Sequence, residues 1–289
     1  MTLLKGMNVW SLPEGLTIEE QFQLTKEAGF DTIELNISEV KNSDNIVSKG
    51  LDLNDSPTLT MDVRQEELMK IKELIKKYEL PVSSISTALH WNYPLTSRDE
   101  ATREKGMNVV KKMIDICLVL GGDTVLVVPG LVTSTDHYDF CYDRSLQAIK
   151  LLAPYAEKKG VFIGIENVWN KFLLSPLETR DFIDKIQSSH VGMYFDAGNV
   201  LQFGFPEQWV RILGHRIKKV HVKDFNTSIG NISGFTNLLN GSLDWKALVT
   251  SLHEIGYDGP LTCEISPYRE NGQQLAYDTS HALNYIVNL

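Results

Sequence analysis

Four side chains able to bind a metal ion end four successive apolar stretches in the second half of the chain. In each stretch apolar residues alternate with a second set, and the ligand-type residue belongs to that second set: Glu166 in VFIGIEN, Asp196 in VGMYFDAGN, His221 in KKVHVKDF and Glu264 in LTCEIS. If the stretches are β-strands, alternate side chains point to opposite faces, so these four residues share one face. Three carboxylates held close together repel one another unless a cation lies among them.

Three carboxylates and one imidazole predict a site for one divalent metal ion. Such ligands suit Mn²⁺, Mg²⁺, Co²⁺ or Zn²⁺ better than a metal that prefers thiolates. Taken alone, His221 could be a hydrogen-bonded core histidine, Asp196 could cap the next turn, and each glutamate could pair with a basic residue. The recurrence of type, face and strand end in four consecutive stretches favours the metal site.

The same stretches belong to a pattern that repeats along the chain. A helix-like segment, a glycine suited to the left-handed position after a helix, and a β-branched run follow one another in KEAGFDTIEL, LVLGGDTVLVV, EKKGVFIGIEN and LHEIGYDGPLTCEI. The sequence predicts eight strands: Lys5–Trp10, Thr32–Asn36, Val82–Thr87, Thr124–Val128, Val161–Asn167, Val191–Asp196, Ile217–Asp224 and Leu261–Ser266.

Alternating strands and helices predict an α/β fold with a parallel sheet, and eight units predict its closure into a single (β/α)8 barrel. An open, doubly wound sheet is the alternative, but no GxGxxG follows the first predicted strand. The least regular segments, Lys41–Leu59 and Asn226–Ser242, each follow a strand. We therefore expect them on the carboxyl-terminal face of the barrel, where active sites lie.

The composition predicts one globular domain over residues 1–289, with 43% hydrophobic residues and no Pro-, Ser- or Gly-rich linker. A net charge of -9 opposes binding to nucleic acid. No apolar run is long enough for a membrane span or a signal peptide. Three cysteines without CxxC spacing indicate a reducing compartment, so a cytoplasmic protein is expected.

Several motifs carry a resemblance to a known family: TIELNISE, STALHWNYPLTSRDE, GIEN, YFDAGNV, KKVHVKDF and GYDGPLTCEI. The chain resembles the xylose isomerase-like TIM barrel sugar phosphate isomerases and epimerases, most closely L-ribulose/L-xylulose 5-phosphate 3-epimerases. The family's metal ligands correspond to Glu166, Asp196, His221 and Glu264. Free-ketose epimerases of the family tend to have a histidine and a glutamate where this chain has Asn199 and Phe172, so the resemblance is closer to the phosphate-sugar branch.

The resemblance implies a metal-dependent epimerase acting on a small-molecule ketose or ketose phosphate. One of Glu166 and Glu264 would remove the C3 proton, and the other would return a proton to the opposite face of a metal-stabilised cis-enediolate. A further acceptor would hold the tautomer of His221. No nucleotide cofactor is expected. Relatives often form dimers or tetramers, which makes a homodimer or homotetramer the expectation from resemblance.

Other functions on the same barrel stay open. Aldose–ketose isomerisation and polyol or keto-acid dehydration begin with the same proton abstraction, and a catalytically silent sugar-binding barrel would use the same cavity. An abasic-site endonuclease is opposed by the net charge and by histidines that are not grouped for a multinuclear zinc site.

Eight further residues lie at or just beyond predicted strand ends, where polar and aromatic side chains could hold a polyol. Ordinary loop structure is the alternative for each of them. These predicted substrate contacts are Asn8, Trp10, Glu34, His90, Asn167, Trp169, Asn199 and Lys223.

Overall fold

The computed structural model describes residues 2–39 and 59–289. Within these ranges the α-helices are α1 (Ile18–Glu27), α2 (Gln65–Tyr78), α3 (Leu89–Asn92), α4 (Glu100–Leu120), α5 (Tyr138–Lys159), α6 (Pro176–Ile186), α7 (Pro206–Leu213), α8 (Trp245–Glu254) and α9 (Gln274–Ile286). The strands are β1 (Leu4–Asn8), β2 (Thr32–Ser38), β3 (Leu59–Thr60), β4 (Val82–Thr87), β5 (Thr124–Val127), β6 (Phe162–Glu166), β7 (Val191–Asp196), β8 (Ile217–Val222), β9 (Asp224–Phe225), β10 (Phe235–Thr236) and β11 (Pro260–Cys263).

Eight parallel strands close into a barrel. Their order is β1-β11-β8-β7-β6-β5-β4-β2, and β2 pairs with β1 to complete the ring. The short strand β3 adds to the outer edge of β2, also in parallel. The predicted (β/α)8 barrel is therefore confirmed, and the carboxyl ends of all eight strands meet at one face.

The alternation of side chains along the strands separates two environments. Val191, Met193 and Phe195 on β7 belong to the main hydrophobic core between the barrel and its helices. Tyr194 instead packs inside the barrel with Leu126 and Val128. The inward and outward sets predicted from the sequence are thus confirmed for this strand, and the same alternation places Asp196 on the inner face.

Glycines end four of the helical segments as predicted. Gly29, Gly121, Gly160 and Gly256 all have positive φ, between 68° and 85°, which a glycine adopts without the strain of a Cβ. At the other end of α1, Thr17 accepts a hydrogen bond from the backbone N–H of Glu20, whose carboxylate accepts from the N–H of Thr17. Such reciprocal caps fix where each helix begins relative to the preceding strand.

Five predicted strands, those that correspond to β1, β5, β6, β8 and β11, end earlier in the structure than in the sequence analysis. Because β8 ends at Val222 and β11 at Cys263, Lys223 and Glu264 directly follow their strands. The irregular segment Asn226–Ser242 contains β10, which pairs antiparallel with β9 so that Phe235 lies opposite Phe225. Of the other irregular segment, Lys41–Leu59, residues 41–58 lie outside the described residues, and Leu59 begins β3. Among the helices that are described, none is long and apolar enough to cross a bilayer.

Candidate active site

The four predicted ligands converge at the carboxyl end of the barrel. Glu166 and Asp196 are the last residues of β6 and β7, His221 lies opposite Asp196 in the register of β7 with β8, and Glu264 follows β11. One ligand atom of each residue lies within 4.8 Å of the others. Glu166, Asp196 and His221 are buried, whereas 19% of the Glu264 side chain is exposed. The group can therefore be reached from the barrel mouth on the Glu264 side.

The pKa values of Glu166 and Asp196 show an unbalanced negative charge. Burial, together with the charges of Glu264 and Asp196, raises the pKa of Glu166 to about 7. Burial also raises the pKa of Asp196 above its ordinary value, despite the attraction of Lys223. Burial and mutual repulsion both disfavour carboxylates, and a nearby cation opposes both effects. The donor set of three carboxylates and one imidazole therefore fits a divalent ion chemically.

Lys223 neutralises part of this charge. Its Nζ lies 2.6 Å from Oδ2 of Asp196 and 2.5 Å from Oε2 of Glu264. Although burial opposes a positive charge, these carboxylates raise the pKa of Lys223 above its ordinary value. The Lys223 side chain passes so close to Gly198 that a Cβ there would lie 2.4 Å from Cγ of the lysine. The predicted substrate contact at Lys223 therefore lies within the candidate metal centre itself.

The ring of His221 bridges the candidate ligands and a buried glutamate. Its Nδ1 lies 3.2 Å from Oε1 of Glu166 and 3.7 Å from Oε2 of Glu264, and its Nε2 lies 2.9 Å from Oε1 of Glu34. Burial favours the neutral ring, but the carboxylates of Glu34 and Glu264 raise the pKa of His221 well above its ordinary value. A histidine with this many acidic partners is not a core histidine of the ordinary kind.

Glu34 and Asn8 lie beneath the candidate metal centre. Both side chains are fully buried, and Nδ2 of Asn8 donates to Oε1 of Glu34. The backbone N–H of Trp10 donates to Oδ1 of Asn8, and the side chain of Trp10 is half-buried. The structure thus places Glu34 and Asn8 behind His221, and their contact with a substrate stays a prediction.

Asp196 has two roles that the sequence analysis gave as alternatives. Its Oδ1 accepts a hydrogen bond from the backbone N–H of Asn199 and so caps the turn after β7, while its Oδ2 faces Lys223. Asn167 adds two bonds to the backbone of Asp196, accepting from its N–H and donating to its carbonyl. Asn199 donates to the carbonyl of Asn167. These two predicted contact residues hold Asp196 in place.

An aromatic cluster flanks the same end of the barrel. Nε1 of Trp169 donates to the carbonyl of Asn199. The Trp169 ring lies with its centroid 5.4 Å from that of Phe225 and 5.1 Å from that of Phe235. Sequence reasoning found Trp169 but missed the two phenylalanines, because Phe235 lies in an irregular segment. The antiparallel pairing of β9 with β10 is what brings them together.

His90 lies on a different side of the mouth. It is buried in α3, directly after β4, with Nε2 3.1 Å from the carbonyl of Leu126. Burial lowers the pKa of His90 to about 4, because a carbonyl oxygen compensates little of the cost of a buried charge. Among the described residues its Nδ1 has no hydrogen-bond partner. His90 is therefore neutral, and its Nδ1 is able to accept a hydrogen bond.

Comparison with known proteins identifies the family. The sequence profile of the xylose isomerase-like TIM barrel family matches residues 22–286. The chain belongs to the xylose isomerase-like TIM barrel family. The resemblance drawn from the sequence motifs is confirmed.

Curated relatives and solved structures of this family extend over nearly the whole chain. The L-ribulose-5-phosphate 3-epimerase UlaE of Salmonella paratyphi C (strain RKS4594) is 22% identical over 283 residues, which cover 97% of this chain and 93% of that protein. A D-tagatose 3-epimerase-like protein superposes with a TM-score of 0.78 at 18% identity, covering 99% of this chain and 97% of the other. An L-ribulose 3-epimerase has a TM-score of 0.74 at 18% identity, covering 99% and 95%. At these identities the structures show a shared xylose isomerase-like fold.

Proposed function

We propose that this protein is a divalent-metal-dependent sugar epimerase that inverts C3 of a ketose or ketose phosphate. The observation that carries the proposal is the convergence of Glu166, Asp196, His221 and Glu264 within 4.8 Å at the barrel mouth. The relative named L-ribulose-5-phosphate 3-epimerase, which covers 97% of the chain, supports sugar epimerisation. The substrate that follows most directly from that name is a ketose 5-phosphate.

Glu166, Asp196, His221 and Glu264 would hold one Mn²⁺, Mg²⁺, Co²⁺ or Zn²⁺ ion. When bound, such an ion polarises a ketone oxygen and makes the adjacent carbon acid easier to ionise. Asp196 is suited to a fixed ligand role, because hydrogen bonds from Asn199 and Asn167 hold its side chain and backbone. His221 is similarly fixed by Glu34. Asp196 and His221 would only hold the ion, whereas the two glutamates are also available to move protons.

Glu166 and Glu264 are proposed as the acid–base pair. An acid–base group that serves both directions of an epimerisation needs a pKa near neutral pH. Burial raises the pKa of Glu166 to about 7, whereas burial of Glu264 is outweighed by the charges of Lys223 and His221, which lower its pKa. One glutamate takes the C3 proton as the electron pair of the C–H bond moves into an enediolate. The other gives a proton to the opposite face of C3, so the configuration inverts with no net gain or loss of atoms. In the reverse direction the two exchange roles.

Lys223, Trp169 and His90 are proposed to contact the sugar. Lys223 lies beside Asp196 and Glu264 and can turn an N–H toward a substrate oxygen. Trp169 offers a half-buried aromatic surface. Neutral His90 has a buried Nδ1 without a partner among the described residues, and this nitrogen would accept from a hydroxyl group that reaches it. Asn8, Trp10, Glu34, Asn167 and Asn199 complete the proposed substrate-binding set. Of these, Glu34 acts through His221, Asn8 through Glu34, and Asn167 and Asn199 through Asp196.

The substrate class, the domain organisation, the cellular location and the assembly are proposed from the composition and the family resemblance. A net charge of -9 supports a small-molecule substrate rather than nucleic acid. We propose a single catalytic domain over residues 1–289 that acts in the cytoplasm, with a homodimer or homotetramer as the assembly. The three cysteines without CxxC spacing support the location, and the family resemblance supports the assembly.

The test is hydrogen exchange in D₂O with a panel of ketoses and ketose phosphates. Protein freed of metal with a chelator is reloaded separately with Mn²⁺, Mg²⁺, Co²⁺ or Zn²⁺, and NMR follows stereochemistry and label position. Inversion at C3 with deuterium at C3 supports the proposal. An aldose product with deuterium at C2, or deuterium at C1 of the recovered ketose, indicates an aldose–ketose isomerase, and loss of a hydroxyl group indicates a dehydratase. Tight binding of a sugar with no exchange by any metal-loaded form would contradict an enzymatic role.

A further inference from the structure

Glu34 reaches His221 from another part of the barrel. Glu34 lies on β2, and His221 lies on β8, three strands away through β1 and β11. Both side chains are fully buried, and Nε2 of the ring lies 2.9 Å from Oε1 of the carboxylate. A buried carboxylate with no hydrogen-bond donors around it would be strongly destabilising, so its partners determine what it can do.

The other partners of Glu34 are all donors. Ser84 donates to Oε2 at 2.5 Å, and the hydroxyl of Tyr194 donates to the same oxygen. Asn8 donates to Oε1 through Nδ2, and the orientation of its amide is fixed because its Oδ1 accepts from the backbone N–H of Trp10. A carboxylate in such a setting only accepts hydrogen bonds. The ring nitrogen that faces it, Nε2 of His221, must therefore carry the hydrogen.

One side of the His221 ring packs against Tyr194. The ring of Tyr194 lies against it, with centroids 4.5 Å apart and planes inclined by 59°. Tyr194 can take this position because residue 164 is glycine, since a Cβ there would lie 3.1 Å from Cβ of the tyrosine. The same tyrosine thus touches the ring and donates to Glu34. The hydrogen bond and the packing together leave Nδ1 as the ring atom facing Glu166 and Glu264.

We propose that Glu34 is a positioning residue that keeps the hydrogen of His221 on Nε2, so that the ring presents Nδ1 to the divalent ion. The inference rests on the metal-binding part of the proposed function and not on the sugar or the reaction. A carboxylate behind a ligating histidine orients the ring and increases its basicity, and loss of such a partner typically costs about 10–100-fold in metal affinity. Glu34 would act through His221 without touching the substrate.

The first test uses the unaltered protein. Zn²⁺-loaded protein with ¹⁵N-labelled histidine is studied by long-range ¹H–¹⁵N NMR, and the resonances of His221 are assigned with a His221→Asn variant. We expect a hydrogen on Nε2 and a zinc-shifted Nδ1 without one. A hydrogen on Nδ1, with Nε2 bound to zinc, would overturn the proposal. This outcome does not depend on how any Glu34 variant folds.

The second test compares variants by calorimetric titration with Zn²⁺. Glu34→Ala should bind Zn²⁺ about 10–100-fold more weakly. Glu34→Gln should retain the Nε2 hydrogen, because an amide oxygen can accept from the ring while its NH₂ group faces two hydroxyls, and its loss of affinity should be smaller. Glu39→Gln is the matched control: its carboxylate accepts from Tyr93 outside the candidate site, so zinc affinity should not change.

The outcomes separate this inference from the proposed function. A folded Glu34→Ala protein with unchanged zinc affinity would refute the role of Glu34, and circular dichroism establishes whether the variant is folded. Failure of the unaltered protein to bind any divalent ion would refute the metal-binding part of the proposed function, and this inference with it. Zinc binding through Nδ1 without sugar exchange would leave this inference intact and refute only the epimerase.

Discussion

His221 and His90 are both buried at the carboxyl end of the barrel, and their surroundings shift them in opposite directions. Near His221, the carboxylates of Glu34 and Glu264 outweigh burial and raise its pKa well above the ordinary value. Near His90, burial acts against one carbonyl contact and lowers the pKa to about 4. Residue type and burial are the same, so the difference lies in the neighbours. A buried histidine indicates a charged site only where acidic side chains face it.

The two histidines also mark two sides of the barrel mouth. The side formed by β6, β7, β8 and β11 contains the candidate ligands and Lys223. The side near His90 contains Leu126 and Val128 inside the barrel, with Trp91 packed against them. An active site needs both kinds of surface, because charge performs the chemistry while an apolar wall excludes water and strengthens electrostatic effects.

The largest effect is expected from removing one acid–base group on the charged side. Glu166→Gln and Glu264→Gln should each lower kcat by about 10²–10⁴-fold, because proton transfer by a positioned side chain contributes that much. The measurement is deuterium exchange at C3 with the metal-loaded proteins. Glu254→Gln, which alters an exposed pair with Arg211, is the control and should retain full activity. A Glu264→Gln enzyme with normal metal content and normal kcat would contradict the assignment.

A smaller effect should follow from removing the cation on the charged side. Lys223→Met leaves Asp196 and Glu264 without their shared partner and should lower the free energy of unfolding of the metal-free protein by about 3–5 kcal/mol. Added divalent ion should restore part of this loss. Urea denaturation with and without metal measures both quantities. Lys77→Met removes an exposed pair with Glu19 and should leave stability nearly unchanged. Equal losses in the two variants would mean that the buried charge is not compensated by Lys223.

The smallest effect concerns the neutral side and depends on pH. The pKa of His90 is lowered to about 4 in the folded protein, so the unfolded chain binds more protons between that value and about 6.5. The contribution of neutral His90 to the free energy of unfolding is therefore fully present above pH 6.5 and is lost as the pH falls toward 4. The loss amounts to about 3 kcal/mol.

The His90→Gln variant isolates the contribution of His90 to the free energy of unfolding, since all other groups titrate in both proteins. The free energies of unfolding of wild type and variant are measured without metal from pH 7 to pH 4. Over this range the wild type should lose about 3 kcal/mol more than the variant. If the difference stays constant over this range, His90 is not held neutral in the way described.

The sequence was most informative where alternation decided the structure. The bounds of β4 and β7 match the predicted strands, and the alternation along β7 correctly separates Tyr194 from Phe195. This works because a strand buried on both faces still assigns each side chain to one of two sides. The convergence of the four candidate ligands follows from the same rule, since their strands are neighbours in the closed barrel.

Contacts across the barrel could not be predicted in this way. Alternation places both Glu34 and His221 inside, but the sequence holds no information about which inward side chains meet when 187 positions separate them. The hydrogen bond from Trp10 that orients Asn8 is similarly hidden. The pairing of Phe225 with Phe235 also escaped prediction, because strands of two residues are too short to show a period.

Gly164 shows how the absence of a Cβ at one strand position can affect the candidate active site. An alanine at this position would crowd Tyr194, with contacts of 3.1 and 3.2 Å to its Cβ and Cδ2, and the tyrosine would have to yield by a few tenths of an ångström. The displaced ring would press on the imidazole beside it and pull on the carboxylate behind it. Substitution of Gly164 is therefore limited by the need to keep His221, two strands away, in its position. A tolerated substitution at residue 164 requires a compensating substitution at Tyr194.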